Sequence, residues 1–246
     1  MNHSKILFVA TALSVAALSS AASVVAPNAY ANAAGDGQSF FIMNLNARRM
    51  QFAIGADQLT GFTPGTKLTS ISFRSGSLLV NPTNTSLSYS NWSLKIGTPT
   101  TSIAGLGTTF ANNISNAVTV RTGPLSIAAG DYPGGALTPA INPWGVQVDF
   151  QTPYTYTGGA LILEISHGVG TGQSSITFDA VTTAAPGYGS SFRALTAASE
   201  TSAEASNPNG QFSVMKLNAV PEPGTMVALG AGLAALLRRR SARRAS

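Results

Sequence analysis

The chain has 246 residues, of which 44% are hydrophobic and only 9% are charged. It has no cysteine, which excludes a disulfide framework, a thiolate metal site and a cysteine nucleophile. The net charge of +5 comes from the two ends, because Lys5 and the arginines after residue 237 leave residues 32–223 slightly acidic. A basic patch for nucleic acid is therefore not expected on the central part of the chain.

Residues 1–31 have the features of a secretory signal peptide. Lys5 supplies the positive start, residues 6–18 form an uncharged apolar stretch, and small residues follow, as such signals require. Ala29 and Ala31 frame a small-x-small cleavage site, and the same spacing recurs two residues later. We predict a signal helix here, with export by the Sec machinery and removal by signal peptidase.

Residues 32–219 alternate apolar and polar side chains with the period of two that is typical of β-strands. Stretches rich in glycine and proline separate the alternating segments, and only residues 197–205 are a candidate helix, where a loop is equally compatible. This pattern predicts one exported all-β domain, an antiparallel β-sandwich or jelly-roll-like fold. The apolar residues that carry the alternation are Met50, Phe52, Ile54, Ile71, Phe73, Trp92, Leu94, Ile96, Trp144, Val146, Val148, Phe150, Leu161, Leu163, Ile165, Ile176, Phe178, Phe212 and Val214.

The alternation also predicts which side chains face the core, where each contributes about 1.5–3 kcal/mol. Glu164 lies between two inward positions and is expected to face solvent, so that Glu164→Ser should be mild. Residues 207–210 read as a turn before a last strand at residues 211–217. The expected inward residues are Ile71, Phe73, Leu94, Val146, Val148, Leu161 and Leu163.

Groups that could carry chemistry are sparse in this domain. His167 is its only histidine, and a surface or loop residue is the plainer interpretation, since a lone histidine makes no triad. Asp149 and Glu164 could form a glycosidase-like pair if their strands were neighbours, although two solvent-facing residues are the simpler interpretation. Asp131 and Asp179 lie near turns that could hold one adventitious calcium ion. We predict no catalytic residue, no metal site and no cofactor.

Aromatic side chains are the other candidates, because they can stack on sugar rings. Trp92 and Trp144 share the apolar phase of their strands and are expected in the core. Tyr154 and Tyr156 follow a proline near a strand end and are better placed for exposure. The full set of candidates is Trp92, Trp144, Tyr132, Tyr154, Tyr156 and Tyr188.

Residues 220–246 combine three features in a fixed order. Pro221-Glu222-Pro223 resists both helix and strand, because each proline fixes φ and lacks an N–H. An uncharged run follows, and residues 224–237 are shorter than the roughly 20 that a full span needs. Snorkelling arginine stems and local thinning make a short transmembrane helix tolerable. The expected membrane anchor residues are Met226, Val227, Leu229, Leu233, Leu236 and Leu237, and the expected cytoplasmic anchors are Arg238, Arg239 and Arg240.

This arrangement resembles the PEP-CTERM sorting signal, whose family members are processed by an exosortase. The resemblance implies an exosortase as partner, a transient inner-membrane precursor and a mature form at the cell surface or outside the cell. A weaker resemblance, carried by residues 69–74, 92–96, 107–113, 120–125, 150–154 and 159–164, links the middle of the chain to a β-domain of many PEP-CTERM proteins.

Three classes of function remain open from the sequence. The first is a non-enzymatic surface or extracellular-matrix protein. The alternatives are a carbohydrate-binding module acting on exopolysaccharide and, third, an extracellular hydrolase. A groove lined by exposed aromatic rings would favour the binding module, whereas paired buried carboxylates in a cleft would favour the hydrolase.

Overall fold

The chain is built almost wholly from β-strands. The computed structural model describes residues 22–77, 86–135, 137 and 140–220. Within this part, every pairing between two strands is antiparallel, and the helical pieces are three 3₁₀ turns (Asn28–Tyr30, Ala56–Gln58 and Ile103–Gly105) and one α-helical turn, α1 (Phe110–Asn113). The all-β prediction is confirmed.

Two large sheets, whose strands are numbered in chain order, form the body of the domain. The first has four strands, in spatial order β1 (Ala22–Ala26), β16 (Met215–Val220), β4 (Lys67–Arg74) and β9 (Trp144–Thr155). The second has six strands, in spatial order β14 (Asn207–Gly210), β13 (Phe192–Ala197), β3 (Arg48–Ile54), β10 (Leu161–His167), β6 (Trp92–Pro99) and β7 (Ile114–Arg121).

Two small sheets complete the described part of the chain. One has β11 (Thr171–Gly172), β5 (Leu87–Tyr89) and β8 (Leu125–Ile127), and the other has β15 (Phe212–Ser213), β12 (Phe178–Val181) and β2 (Gly37–Ser39). Neighbours in each sheet are often distant in sequence, as where β1 pairs with β16 and β10 with β3. The fold is therefore set by long-range pairing rather than by consecutive hairpins alone.

The inward faces of the two large sheets share one hydrophobic core, which makes the fold β-sandwich-like. Phe52 of β3 and Phe212 of β15 meet edge to face at 5.4 Å, and Phe73 of β4 meets Phe178 of β12 at the same distance. Such offset aromatic pairs stabilise a core beyond the area that they bury. Six of the seven residues expected to face inward are at most 2% exposed: Ile71, Phe73, Leu94, Val148, Leu161 and Leu163.

Val146 is the exception, and its predicted burial was wrong. Its side chain is 39% exposed, and its N–H donates to the carbonyl of Asp131 instead of a neighbouring strand. The register between β4 and β9 shifts at this point, between Ser72 and Arg74. A bulge of this kind breaks the period of two, so the alternation could not be extrapolated through it. Trp144 lies before the same bulge and is half-buried rather than in the core.

The outer face of the six-stranded sheet is also covered. A second hydrophobic cluster joins Ala53, Ile162 and Leu195 of the sheet to Phe110 and to the turn at Ile103–Gly105. Ile162 is fully buried although its phase of β10 was expected to face solvent. Glu164 lies on the same outer face and is only 3% exposed, so its expected exposure was wrong as well.

Two local regions near the end of the domain are defined by the structure. Residues 197–205, where a helix and a loop were both compatible with the sequence, are the end of β13 followed by turns and one bridge from Glu204 to Thr109, so the loop alternative fits and the helix does not. The expected turn at residues 207–210 is the edge strand β14, and the expected last strand divides into β15 and β16. Burial of Phe212 and pairing across the sheets decide these conformations, and a local pattern does not contain either.

The folded domain begins earlier than the sequence indicated. The segment Ala21–Val220 forms one compact unit, whereas the exported domain was predicted at residues 32–219. Most of the predicted signal peptide and the predicted transmembrane helix lie outside the described residues. Among the residues that are described, no helix is long and apolar enough to span a membrane.

Candidate functional site

The C-terminal segment leaves the domain from the middle of a sheet. β16 lies between β1 and β4, and its last two residues, Ala219 and Val220, pair with Leu68 and Lys67 of β4. Ala219 is buried at 1% exposure, whereas Val220 is 45% exposed at the end of the strand. The backbone is thus held in the sheet up to the residue that directly precedes Pro221.

The start of the described domain lies beside this exit. β1 runs antiparallel to β16, and Ala22 pairs with Ala219. The chain therefore joins and leaves the domain at one end of the same pair of strands. Paired strands are about 4.8 Å apart, which fixes how close these two points lie.

The residues from Ala219 onward match a known sequence motif. Comparison with known protein families matches residues 219–244 to the PEP-CTERM protein-sorting motif. The chain carries a PEP-CTERM sorting signal. The motif is an exosortase recognition signal, and it marks an exported protein that ends at the cell surface or outside the cell. Comparisons with curated proteins and with solved structures gave no match.

Residues 221–244 of the PEP-CTERM motif lie outside the described part of the chain. This applies to Pro221, Glu222 and Pro223, to the membrane anchor residues and to Arg238, Arg239 and Arg240. Pro221 directly follows Val220, the last residue of the paired strand β16.

A buried ion pair fastens the N-terminal segment of the domain. Arg74 and Asp179 are each 1% exposed, and the Arg74 Nε donates to Asp179 Oδ2 at 2.7 Å. The Arg74 guanidinium also donates to the carbonyls of Tyr30, at 2.9 Å, of Ala31, at 3.3 Å, and of Ala33. Burial raises the pKa of the Asp179 carboxyl, and the charge of Arg74 opposes this shift. The sequence pattern did not single out Arg74, because its partners come from distant parts of the chain.

The predicted cleavage residues lie inside this fastened segment. Ala29 belongs to the 3₁₀ turn Asn28–Tyr30, and Ala31 directly follows it. The N–H of Asn28 donates to Gln58 Oε1 at 2.9 Å, which ties the turn to the body of the domain. The small-x-small spacing is thus part of a folded turn.

His167 is buried at the end of β10 rather than exposed in a loop. Its Nδ1 lies 2.9 Å from the Gly168 carbonyl oxygen and its Nε2 lies 2.9 Å from the Phe41 carbonyl oxygen. The ring also packs against Tyr89, with 4.7 Å between the ring centroids. Burial lowers the pKa of His167. Both nitrogens therefore contact carbonyl oxygens of the fold itself.

The carboxylates do not form the pair that hydrolysis would need. Asp149 is exposed on β9 of the four-stranded sheet, whereas Glu164 is buried on β10 of the six-stranded sheet. Glu164 accepts hydrogen bonds from Arg49 at 2.9 Å and Gln51 at 2.8 Å, and Lys95 lies at 3.5 Å. Asp179 is engaged by Arg74, and Asp131 accepts from the N–H of Ala128. No group of three metal-ligating side chains occurs among the residues described.

The tyrosines expected at the surface are buried instead. Tyr154 and Tyr156 are 5% and 4% exposed, and Tyr132 is also buried, while Tyr188 is partly covered. Trp92 lies in the core as predicted. Tyr154 nevertheless reaches a shallow cleft of about 320 Å³ between β6, β7 and β9, lined by Thr98, Asn116, Val118, Pro153, Tyr154, Thr155 and Thr157.

Proposed function

We propose that the protein is an exported, non-enzymatic surface or extracellular-matrix protein that an exosortase sorts through its C-terminal signal. The observation that carries the proposal is the PEP-CTERM motif at residues 219–244. Pro221-Glu222-Pro223 directly follows β16, so a cut near these residues frees the whole β-domain and leaves its sheets complete.

Retention before the cut depends on the last 21 residues of the sequence. Residues 226–237 halt in the inner membrane, and Arg238, Arg239 and Arg240 hold the C-terminus in the cytoplasm. Moving an arginine to the centre of a bilayer costs about 2.5–3.5 kcal/mol on insertion scales. The orientation places Glu222 on the outer side, where it serves as a recognition charge in an extended frame of two prolines.

The arrangement of polar groups supports a role without catalysis. His167 contacts two carbonyl oxygens, and Glu164 contacts Arg49 and Gln51, so both side chains are committed to the fold. A general acid or base must instead reach the substrate atom whose proton it transfers.

Mass spectrometry of the extracellular protein tests the sorting mechanism. Wild-type material should lack the C-terminus that ends at Ser246. Glu222→Ala or loss of the exosortase should leave a membrane-bound precursor, and deletion of residues 226–237 should release an unprocessed form. Thr225→Ala, which leaves Pro221-Glu222-Pro223, residues 226–237 and the arginines unchanged, is the matched control and should be processed normally. Intact Ser246 on secreted wild-type protein would contradict the proposal.

The cleft beside Tyr154 supports carbohydrate binding as the second candidate. Its lining offers the hydroxyls of Thr98, Thr155 and Thr157 and the amide of Asn116, groups that hydrogen-bond sugar hydroxyls. Thr155→Val should weaken binding of the cell's exopolysaccharide several-fold, whereas Thr119→Val, an exposed change on β7, should not. Equal binding by wild type and Thr155→Val in calorimetry would remove this candidate.

A further inference from the structure

The segment Ala22–Ala26 is an integral strand of the four-stranded sheet. It pairs with β16 at five consecutive positions, from Ala22 with Ala219 to Ala26 with Met215. Val24 is 8% exposed and Ala26 is fully buried, and both belong to the main hydrophobic core. The five residues therefore contribute backbone pairing and core packing like those of any other strand.

Removing β1 would take away one of the two neighbours of β16, the strand that leads into the sorting motif. β16 has only two neighbours in its sheet, β1 and β4. A cut after Ala31 would remove β1 and leave one side of β16 unpaired, although unpaired backbone groups and edge strands are costly. The exposed edge would end at Val220, directly before the exosortase motif.

The same cut would deprive the buried Arg74 of acceptors. Its guanidinium, 1% exposed, is held by Asp179 and by the carbonyls of Tyr30, Ala31 and Ala33. Tyr30 and Ala31 would leave with the signal peptide. Loss of their carbonyl acceptors would destabilise the fold, because a buried charge that loses its partners is costly. Gln58 would also lose the N–H of Asn28 as its donor.

A second small-x-small spacing lies just upstream of β1. Ser19-Ser20-Ala21 directly follows the apolar stretch at residues 6–18, which is where a signal peptide places its cleavage site. Ala29 and Ala31 lie about ten residues further from that stretch. Cutting after Ala21 leaves every residue of β1 in the mature chain.

We infer that signal peptidase hydrolyses the Ala21–Ala22 bond, so that the mature protein begins with β1. One water is consumed, Ala21 gains a carboxylate and Ala22 gains an α-amine. The inference rests on the proposed export and replaces the predicted cleavage after Ala31. It also means that the two processing enzymes act on adjacent strands, at the paired ends Ala22 and Ala219.

Sequencing the N-terminal peptide of the exported protein, together with its intact mass, tests the inference. A start at Ala22 supports it, whereas a start at Ser20, Ala21 or Ser23 would place the hydrolysed bond elsewhere and overturns it. A start at Val24 or later, including Asn32 and Ala34, overturns it. Exported protein that keeps Met1 also overturns it, whereas protein that stays in the cytoplasm with Met1 contradicts the proposed export itself.

Two matched substitutions locate the cut independently. Ala21→Leu places a large side chain at the small position and should reduce processing at least tenfold in a pulse-chase experiment. Ala31→Leu should leave the rate unchanged and shift the mature mass only by the substitution. Slowed processing by Ala31→Leu, with normal processing of Ala21→Leu, would overturn the inference.

Discussion

Polar side chains in this domain are held by partners from distant segments, and this determines what single substitutions do. Glu164 shows the effect most clearly. It accepts from Arg49 and Gln51, while Gln51 also donates to the carbonyl of Phe110 and Asn113 donates to Gln51. The residue lies in a polar network beneath α1, and truncating it leaves buried donors without acceptors.

We therefore expect Glu164→Ser to lower the free energy of unfolding by about 2–3 kcal/mol, because buried donors lose their acceptor. This reverses the mild effect that the sequence pattern indicated. Asp149→Ser is the matched control, since Asp149 is exposed on β9, and should change stability by less than about 0.5 kcal/mol. Urea denaturation of the two variants measures both values. Equal midpoints would contradict the role assigned to Glu164.

The burial of His167 predicts a pH dependence of stability. Because burial lowers its pKa, the folded state binds a proton more weakly than the unfolded chain, whose histidine has the ordinary pKa of 6.5. Stability should be complete above pH 7 and fall as the pH drops below 6.5, by at most about 1.4 kcal/mol per pH unit. Arg48, which lowers the pKa further, and Glu200, which raises it, are the charges that act on the ring.

Thermal unfolding of wild type and His167→Gln between pH 7.5 and pH 5.5 checks this prediction. The wild type should lose stability across the interval, and the variant should follow a flatter curve because glutamine does not titrate. A wild-type curve that is flat or rises toward pH 5.5 would contradict the sign of the shift.

Among the strands, β16 has the most consequences for function. It is paired on both sides, it ends at Val220, and the sorting motif follows at once. A protease generally needs an extended stretch of free chain, and here the stretch before Pro221 is engaged in a sheet. We therefore expect the strand to limit how closely an exosortase can approach Pro221-Glu222-Pro223.

A flexible insert should relieve this limit. Six Gly/Ser residues between Val220 and Pro221 should speed processing severalfold, because the sheet no longer restricts the residues before the motif. The same insert between Gly158 and Gly159, an exposed turn before β10, is the control and should leave the rate unchanged. An unchanged or lower rate for the first insert, followed by pulse-chase, would show that the junction is not limiting.

In the domain as a whole, the first strand begins beside the point where the last strand ends. Ala22 and Ala219 face each other across the β1–β16 pair, while the core between the two large sheets lies behind them. Both targeting segments in the sequence are therefore continuous with the same end of the domain.

A crosslink between the two strands tests this arrangement in the exported protein. Ser23 pairs with Asn218, and directly opposed antiparallel residues have Cα atoms about 4.5–5.5 Å apart, within the range that a disulfide bridges. Ser23→Cys with Asn218→Cys should oxidise to an intramolecular disulfide, seen as a loss of two hydrogens in the intact mass. Each single variant is the control, since the chain has no cysteine of its own. Exported double variant that stays reduced under oxidising conditions would indicate that β1 is not paired there.

The sequence by itself determined the all-β class, most of the core residues and the C-terminal sorting signal. Alternation of side chains along one strand is a local property, and so are the Pro-Glu-Pro motif, the apolar run and the arginines that follow it. The sorting signal is a linear sequence motif, so its order of residues is sufficient to identify it. Phe73, Leu163 and Trp92 were assigned to the core for the same reason.

Tertiary structure alone decided which polar residues are buried and where the domain begins. Arg74 donates hydrogen bonds to Asp179 and to the carbonyls of Tyr30, Ala31 and Ala33. Glu164 accepts hydrogen bonds from Arg49 and Gln51. These partners are so far apart in the sequence that no local pattern contains them. The exposed Val146 follows from a shifted register between β4 and β9. From the sequence alone, Ala22–Ala26 is predicted to be part of the signal peptide. In the structure it is a strand, because β16, almost two hundred residues later, supplies its hydrogen-bond partners and part of the core against which it packs.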